Sequence, residues 1–287
     1  MKIRLALGNK INNLRYYLNI LMYKMYSHLK KSSGINSRER QRLLIVSLTT
    51  YPKRFNIVWL VIESLMNQTI KPDKIILWLA ENELSDGKVP KKLLKLKSRG
   101  LNIRIVDENL RSYKKLVYTI KEFPNSDIIT CDDDTLYPNF FVEELYTKLQ
   151  EFPNNIIAYR CSLMQKLDNN KLKPYLSWAS PKNDKPSFNV FPTGVGGILY
   201  PPGSLHTKVL DKELFLRLAP FGDDIWFKAM ALLNNTKTVM VNEKSIEFPL
   251  IKDSQDDALW HLNVRKNQND EQLKNVFDYF NLYKYIT

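Results

Sequence analysis

Along residues 1–34 the apolar side chains Leu7, Ile11, Leu14, Leu18, Leu21, Met22, Met25 and Leu29 recur at steps of three and four. That period predicts an amphipathic helix. From Arg42 onward the pattern changes to short apolar runs separated by helical spacing. Strands are predicted over 43–48, 74–79, 101–106 and 127–131, and helices over 58–65, 93–99, 111–123 and 139–152. Strands alternating with helices in this way form a parallel sheet covered on both faces. Ligands of such sheets bind beyond the carboxyl ends of the strands. The rule collects 49–54, 107–115 and 132–134 on one rim. A fifth strand is expected over 155–161, a sixth over 238–241, and closing helices near 256–263 and 270–283. Residues 162–193 are polar and without period, with Tyr175, Trp178 and Phe188 scattered through them.

The chain has 287 residues, 44% of them hydrophobic and 11% aromatic, which describes an ordered globular protein with ample material for a core. Its net charge is +13, and residues 1–42 hold ten Lys or Arg against one acid, Glu39. The excess therefore sits in an N-terminal arm. Tyr16, Tyr17, Tyr23 and Tyr26 join the basic residues there, a composition suited to the surface of an anionic membrane. Packing on the chain's own domain or on a second subunit explains the apolar stripe equally well, and nucleic acid is not the expected partner. No uncharged run approaches the roughly 18 residues that span a bilayer. The arm also lacks the unbroken apolar core and small-residue cleavage site of a secretory signal. Ser32-Ser33-Gly34 reads as a hinge after it. Cys131 and Cys161 fall at predicted strand ends and read as reduced core thiols, which leaves no disulfide framework and no thiolate metal cluster.

Three features carry candidate chemistry. The strand over 127–131 ends in Asp132-Asp133-Asp134, and Pro138 follows as a helix opener. Adjacent carboxylates need full solvation or a cation, and an all-oxygen cluster suits Mg²⁺ or Mn²⁺. Gly194, Gly196 and Gly197 let backbone approach a ligand closely, or simply make a tight turn. Asp223-Asp224 precede an apolar helix, where acids serve the macrodipole or, in a drier site, act as a general base.

Taken in order, the strand before Thr49-Thr50-Tyr51-Pro52-Lys53-Arg54, the run KIILWLA after Lys71-Pro72-Asp73, Asp107-Glu108, Tyr113-Lys114-Lys115, the Asp triad, the glycines and the acidic pair resemble a nucleotide-sugar-dependent glycosyltransferase of the GT-A fold. The likeness is to family-2-like enzymes of bacterial surface polysaccharide synthesis. It covers roughly 42–245 and implies an α/β fold with a Rossmann-like, mostly parallel central sheet flanked by helices. The nucleotide-binding half would be 42–138 and the acceptor half 139–245, with a basic helical arm at 1–41 and a helical extension at 246–287.

The resemblance also implies roles. Thr50, Tyr51 and Arg54 would hold the nucleoside, Asp107 the base, Lys114 or Lys115 the phosphates and Asp132 the ribose. Gly196 and Gly197 would border the donor sugar, and Trp178 or Trp226 would stack on a sugar face. Asp134 or Asp133 would bind Mn²⁺ or Mg²⁺, with His261 (or His206) completing the site. Asp224 or Asp223 would be the general base. The implied donor is a nucleotide-sugar, UDP being the commonest, and the acceptor a glycan or lipid-linked saccharide. The implied location is the cytoplasm, peripheral on the inner face of the plasma membrane through residues 1–31. A nucleotidyltransferase would place a Gly-rich loop directly after the first strand, and 48–54 contains no glycine. A non-catalytic membrane-surface or nucleic-acid-binding protein would leave both acidic clusters unexplained. A metal-dependent hydrolase would need a richer histidine set than this chain has.

Overall fold

The computed structural model describes residues 20–23, 25, 32–169, 171–251 and 268–287. The central strands are β1 (Leu44–Thr49), β2 (Lys74–Ala80), β3 (Leu101–Val106) and β4 (Asp127–Cys131), paired in parallel in the order β3-β2-β1-β4. β5 (Ile156–Ala158) follows, and β6 (Cys161–Leu163) with β7 (Val190–Pro192) makes a separate antiparallel pair. β8 (Ile198–Tyr200) and β9 (Thr238–Met240) complete a seven-stranded sheet, β3-β2-β1-β4-β8-β5-β9, in which β8 alone runs antiparallel to its neighbours. The α/β architecture with a mostly parallel sheet is thus as expected.

The chain builds outward from β1 through β2 to β3, then returns to lay β4 on the other side of β1. This reversal opens a crevice at the carboxyl ends of β1 and β4, the place where open α/β sheets take ligands. Leu48 pairs with Cys131, so Thr50 and Asp133 leave the sheet side by side.

Alternation along the strands divides the core. Val46 and Leu48 face the cluster containing Val61, Ile62 and Leu65 of α1 (Val58–Met66), whereas Ile45 on the other face meets Ile76 and Trp78. All nine residues of α1 are buried. Its one charged residue, Glu63, is met by Arg99 at 2.6 Å, as a charge so deeply buried requires. The other helices are α2 (Lys91–Lys97), α3 (Lys114–Glu122), α4 (Phe141–Glu151), α5 (Lys212–Leu218), α6 (Asp223–Leu233) and α7 (Gln268–Phe280). Trp226 and Met230 of α6 share one apolar cluster with Leu273, Val276 and Phe277 of α7, so the C-terminal helix is part of the second core.

Several expectations change. The strand over 155–161 breaks at Tyr159-Arg160, because Cys161 leaves the main sheet to pair with Pro192. The helix over 111–123 opens with a 3₁₀ turn, Arg111–Tyr113, before α3. Pro138 lies in the turn before α4, accepting from the Phe141 N–H, rather than in the helix itself. Ser32-Ser33-Gly34 is no free hinge. Gly34 N–H donates to Arg99 O at 2.7 Å, Lys71 Nζ donates to Ser33 O, and a Cβ on Gly34 would collide with Met66. The described part of the arm packs on this domain through Tyr23, while Leu21, Met22 and Met25 stay exposed. The rest of the arm and the helix expected near 256–263 lie outside the described residues.

Candidate active site

A cavity of about 730 Å³ opens over the carboxyl ends of β1 and β4. Its first wall is the strand-end triad. The turn Pro52–Arg54 after β1 swings Arg54 over the end of β4. There its guanidinium bonds Asp133 Oδ1 at 2.5 Å and Asp134 Oδ2 at 2.9 Å, and Thr50 Oγ1 donates to Asp133 Oδ2 at 2.5 Å. Burial opposes charge on Arg54, but the two carboxylates outweigh it and hold the guanidinium firmly protonated. Burial pushes Asp133 upward against Arg54 and Thr50. Asp132 is the open member of the triad, with its side chain 29% exposed against 8% for Asp133 and 7% for Asp134.

The second wall surrounds Lys115. Two consecutive lysines begin α3, and the Tyr113 hydroxyl, bonded to Ala219 O at 2.5 Å, fastens this helix start to the segment before α6. Lys115 Nζ thereby lies 2.8 Å from Asp132 Oδ1 and 3.3 Å from Asp223 Oδ2. Burial works against its charge, but Asp132, Asp223 and Asp224 raise its pKa overall. Gly222 occupies the N-cap of α6, so neither Asp223 nor Asp224 caps that helix. Asp224 Oδ2 accepts from the Gly194 N–H at 2.8 Å, and its Oδ1 has no hydrogen-bond partner among the described residues. A Cβ at position 194 would lie 3.0 Å from Lys115 Nζ and 3.1 Å from Asp224 Oδ1, so glycine lets the backbone reach into this cluster. Burial first, then the charge of Asp223, pushes Asp224 up to about 7, against the pull of Lys115 and Gly194. A carboxyl so placed exchanges a proton near neutrality.

The chain matches no family model and no curated protein. Among solved structures it is similar to the mannosyltransferase PcManGT from Pyrobaculum calidifontis in complex with GDP-Man and Mn²⁺. That pair shares 14% identity and a TM-score of 0.48 over 93% of this chain and 73% of the other. It is also similar to S. aureus TarS 1–349, at 13% identity and a TM-score of 0.49 over 82% of this chain and 72% of that one.

Thr50, Tyr51, Arg54, Lys114, Lys115, Asp132, Asp133, Asp134, Gly196, Asp223 and Asp224 all line the one cavity. Asp107 is exposed at the end of β3 and is not part of the cavity lining. Gly197, next to Gly196, is not part of the lining; it has φ +80°, and a Cβ there would strike the Phe141 ring. Trp178 and Trp226 are buried away from the cavity, with their indole N–H groups donating to Lys173 O and Val209 O. The His206 imidazole caps a turn by accepting from Lys208 N–H. His261 lies outside the described residues. Glu83, Arg111, Arg160, Tyr175, Phe221, Glu247 and Asn269 also line the cavity; none is among the expected site residues, although Arg111 belongs to the stretch 107–115 expected on the rim. Glu83 was the nearest to legible, since the buried Lys114 must find an acid and bonds this one at 2.5 Å.

The lining tests the fit of a divalent cation. No group of three or more His, Cys, Asp or Glu is placed to hold one among the described residues, and Arg54 occupies Asp133 and Asp134, the two expected ligands. Yet seven carboxylates line the cavity against five cationic side chains. A hard cation held by one or two carboxylates and by substrate phosphate oxygens needs no protein cage, and would offset that excess of two negative charges. Asp132, with its open edge, fits such a role best.

Proposed function

We propose that this protein is a glycosyltransferase that moves a sugar from a nucleoside diphosphate to a hydroxyl of a glycan or lipid-linked acceptor. The observation that carries the reading is Asp224, a buried cavity-lining carboxyl with one oxygen unpartnered among the described residues, set across Lys115 from the strand-end triad and pushed up to about 7 by burial and by Asp223. In the reaction the acceptor oxygen bonds to the anomeric carbon and the bond from that carbon to the diphosphate breaks. The acceptor proton passes to Asp224, and the electron pair of the broken bond leaves on the nucleoside diphosphate. A single displacement of this kind inverts the anomeric configuration.

Thr50, Tyr51 and Arg54 form the floor on which the nucleoside rests, and Lys114 and Lys115 lie along the path of the diphosphate. Asp132, with Asp134 or Asp133 where Arg54 yields a contact, would hold a Mn²⁺ or Mg²⁺, whose charge would offer electrostatic stabilisation of the leaving group. Asp223 keeps Lys115 in place and helps hold Asp224 in its poised state. A role in bacterial surface polysaccharide synthesis, a UDP donor and work at the inner membrane face rest on the sequence resemblance and on the basic arm. No helix among the described residues is long and apolar enough to cross a membrane.

The test is a thermal-shift screen against UDP, GDP, CDP and their sugar conjugates, each with and without Mn²⁺. A ligand that binds only the folded protein raises its melting temperature by mass action. One nucleotide class should raise it by several degrees at saturating ligand, and more with Mn²⁺. No shift with any nucleotide would overturn the reading.

A further inference from the structure

Five cationic side chains line the cavity, and four of them are already committed to carboxylates. Arg54 holds Asp133 and Asp134, Lys115 holds Asp132 and Asp223, Lys114 holds Glu83, and Arg160 lies 3.3 Å from Glu247. Arg111 is the exception. It makes no ion pair with any described residue, and its polar side-chain contact is a donation from one guanidinium nitrogen to Pro220 O at 3.3 Å. A guanidinium has five N–H donors in a planar fork, so most of this fork is unspent. The group lies 4.4 Å over the Phe221 ring, on the segment that leads into Asp223 and Asp224.

The backbone beneath it is unusual as well. Arg111 has φ +52°, a left-handed conformation that disfavours any side chain beyond glycine. The strain is held locally, by the Arg111 N–H donating to Asn109 Oδ1 at 3.0 Å. Arg111 is exposed rather than packed in the core, so apolar burial of its side chain does not account for keeping an arginine there. Its neighbour Ser112 also lines the cavity.

We propose that Arg111 is an anion receptor at the cavity mouth, taking a phosphate group of a substrate in its open guanidinium edge. The cavity lining is acidic overall, so an entering phosphate meets uncompensated positive charge at this one described side chain. Planar bidentate recognition of phosphate is the chemistry arginine does best. The phosphate belongs either to the donor's diphosphate or to an acceptor that carries a phosphoryl group beside its reacting hydroxyl. The site deepens the glycosyltransferase reading but does not depend on it for its test.

The experiment titrates the full-length protein with inorganic phosphate by ³¹P NMR at constant ionic strength, and separately with the nucleoside diphosphate that gives the largest thermal shift. Arg111→Gln and Arg111→Gly are compared with the parent. The glycine variant suits the left-handed backbone and guards against misfolding. Both variants should bind phosphate at least about tenfold more weakly. Loss of nucleotide affinity alongside it assigns the site to the donor's diphosphate. Retained nucleotide affinity assigns it to an acceptor phosphate. Phosphate binding equal to the parent in both variants would overturn the proposal. Arg111-dependent phosphate binding in a protein that takes no nucleotide would keep the receptor and discard the glycosyltransferase.

Discussion

Two acidic clusters face each other across the cavity, and the cation assigned to each sets them apart. At the end of β4, Asp133 and Asp134 share the planar fork of Arg54, and the Thr50 hydroxyl completes Asp133. At the start of α6, Asp223 and Asp224 have a single ammonium, Lys115, which they share with Asp132. The Arg54 fork reaches one oxygen of each carboxylate and, with Thr50, pulls Asp133 down against the burial that pushes it up. At Asp224, burial and then the charge of Asp223 outweigh the pull of Lys115, which is divided among three carboxylates, and push the carboxyl up to about 7. The first cluster therefore positions, and the second exchanges protons. Burial pushes both Asp133 and Asp224 upward, and the two clusters differ in the cation each receives.

The largest effect that would break this comparison is expected at Asp224. Asp224→Asn should lower transfer by about a thousandfold or more, within the range of a lost general base, while nucleotide affinity stays within about twofold of the parent. Steady-state kinetics with a calorimetric titration separates the two, and near-normal turnover would remove the proton-transfer role. Next in size is the lock itself. Arg54→Met strands two buried carboxylates and should destabilise the fold by about 3–5 kcal/mol, read from urea unfolding at pH 7. A change under about 1 kcal/mol would show that Asp133 and Asp134 do not depend on that guanidinium.

The smallest effect sharpens the comparison. If Asp224 must be ionised to act, kcat/KM should rise with pH through an inflection near 7. Asp223→Asn removes the second-largest cause of the upward shift and should move the inflection down. The stability sign runs the other way. The folded state keeps the Asp224 proton where the unfolded chain has lost it, so stability should fall as pH rises from about 4 to about 7. Asp224→Asn should flatten that slope, and an inflection unmoved by either substitution would mean that another group titrates.

Much of this arrangement was legible in the residues. Runs such as LLIVSL and DIITC have no polar face, so both sides must be covered, and the helical spacing between them forces parallel crossovers. From that alone the strand ends, the triad and the loop with Arg54 gather on one rim. The acidic pair could be placed at a helix start because an apolar 3.6-residue pattern begins just after it. Arg111 falls within the stretch 107–115 expected on that rim. Arg160 and Asn269 had no such signal: they come from a broken strand and the start of a helix, and only the fold brings them to the same cavity. Asp107 looked suitable by its position after a strand, yet the chain carries it to the surface.

By itself, then, the sequence determined which segments are strands and helices, which of their faces are buried, and that acids and bases gather at the carboxyl ends. Burial and periodicity are local properties, read over a few residues at a time. Only the tertiary structure decided that Arg54 takes two of the triad's carboxylates, that Lys115 is divided among the others, and that Arg111 is left without an acid. Those pairings join residues 17 to 108 positions apart. Their energies depend on distance and desolvation, which exist only once the chain has closed around them.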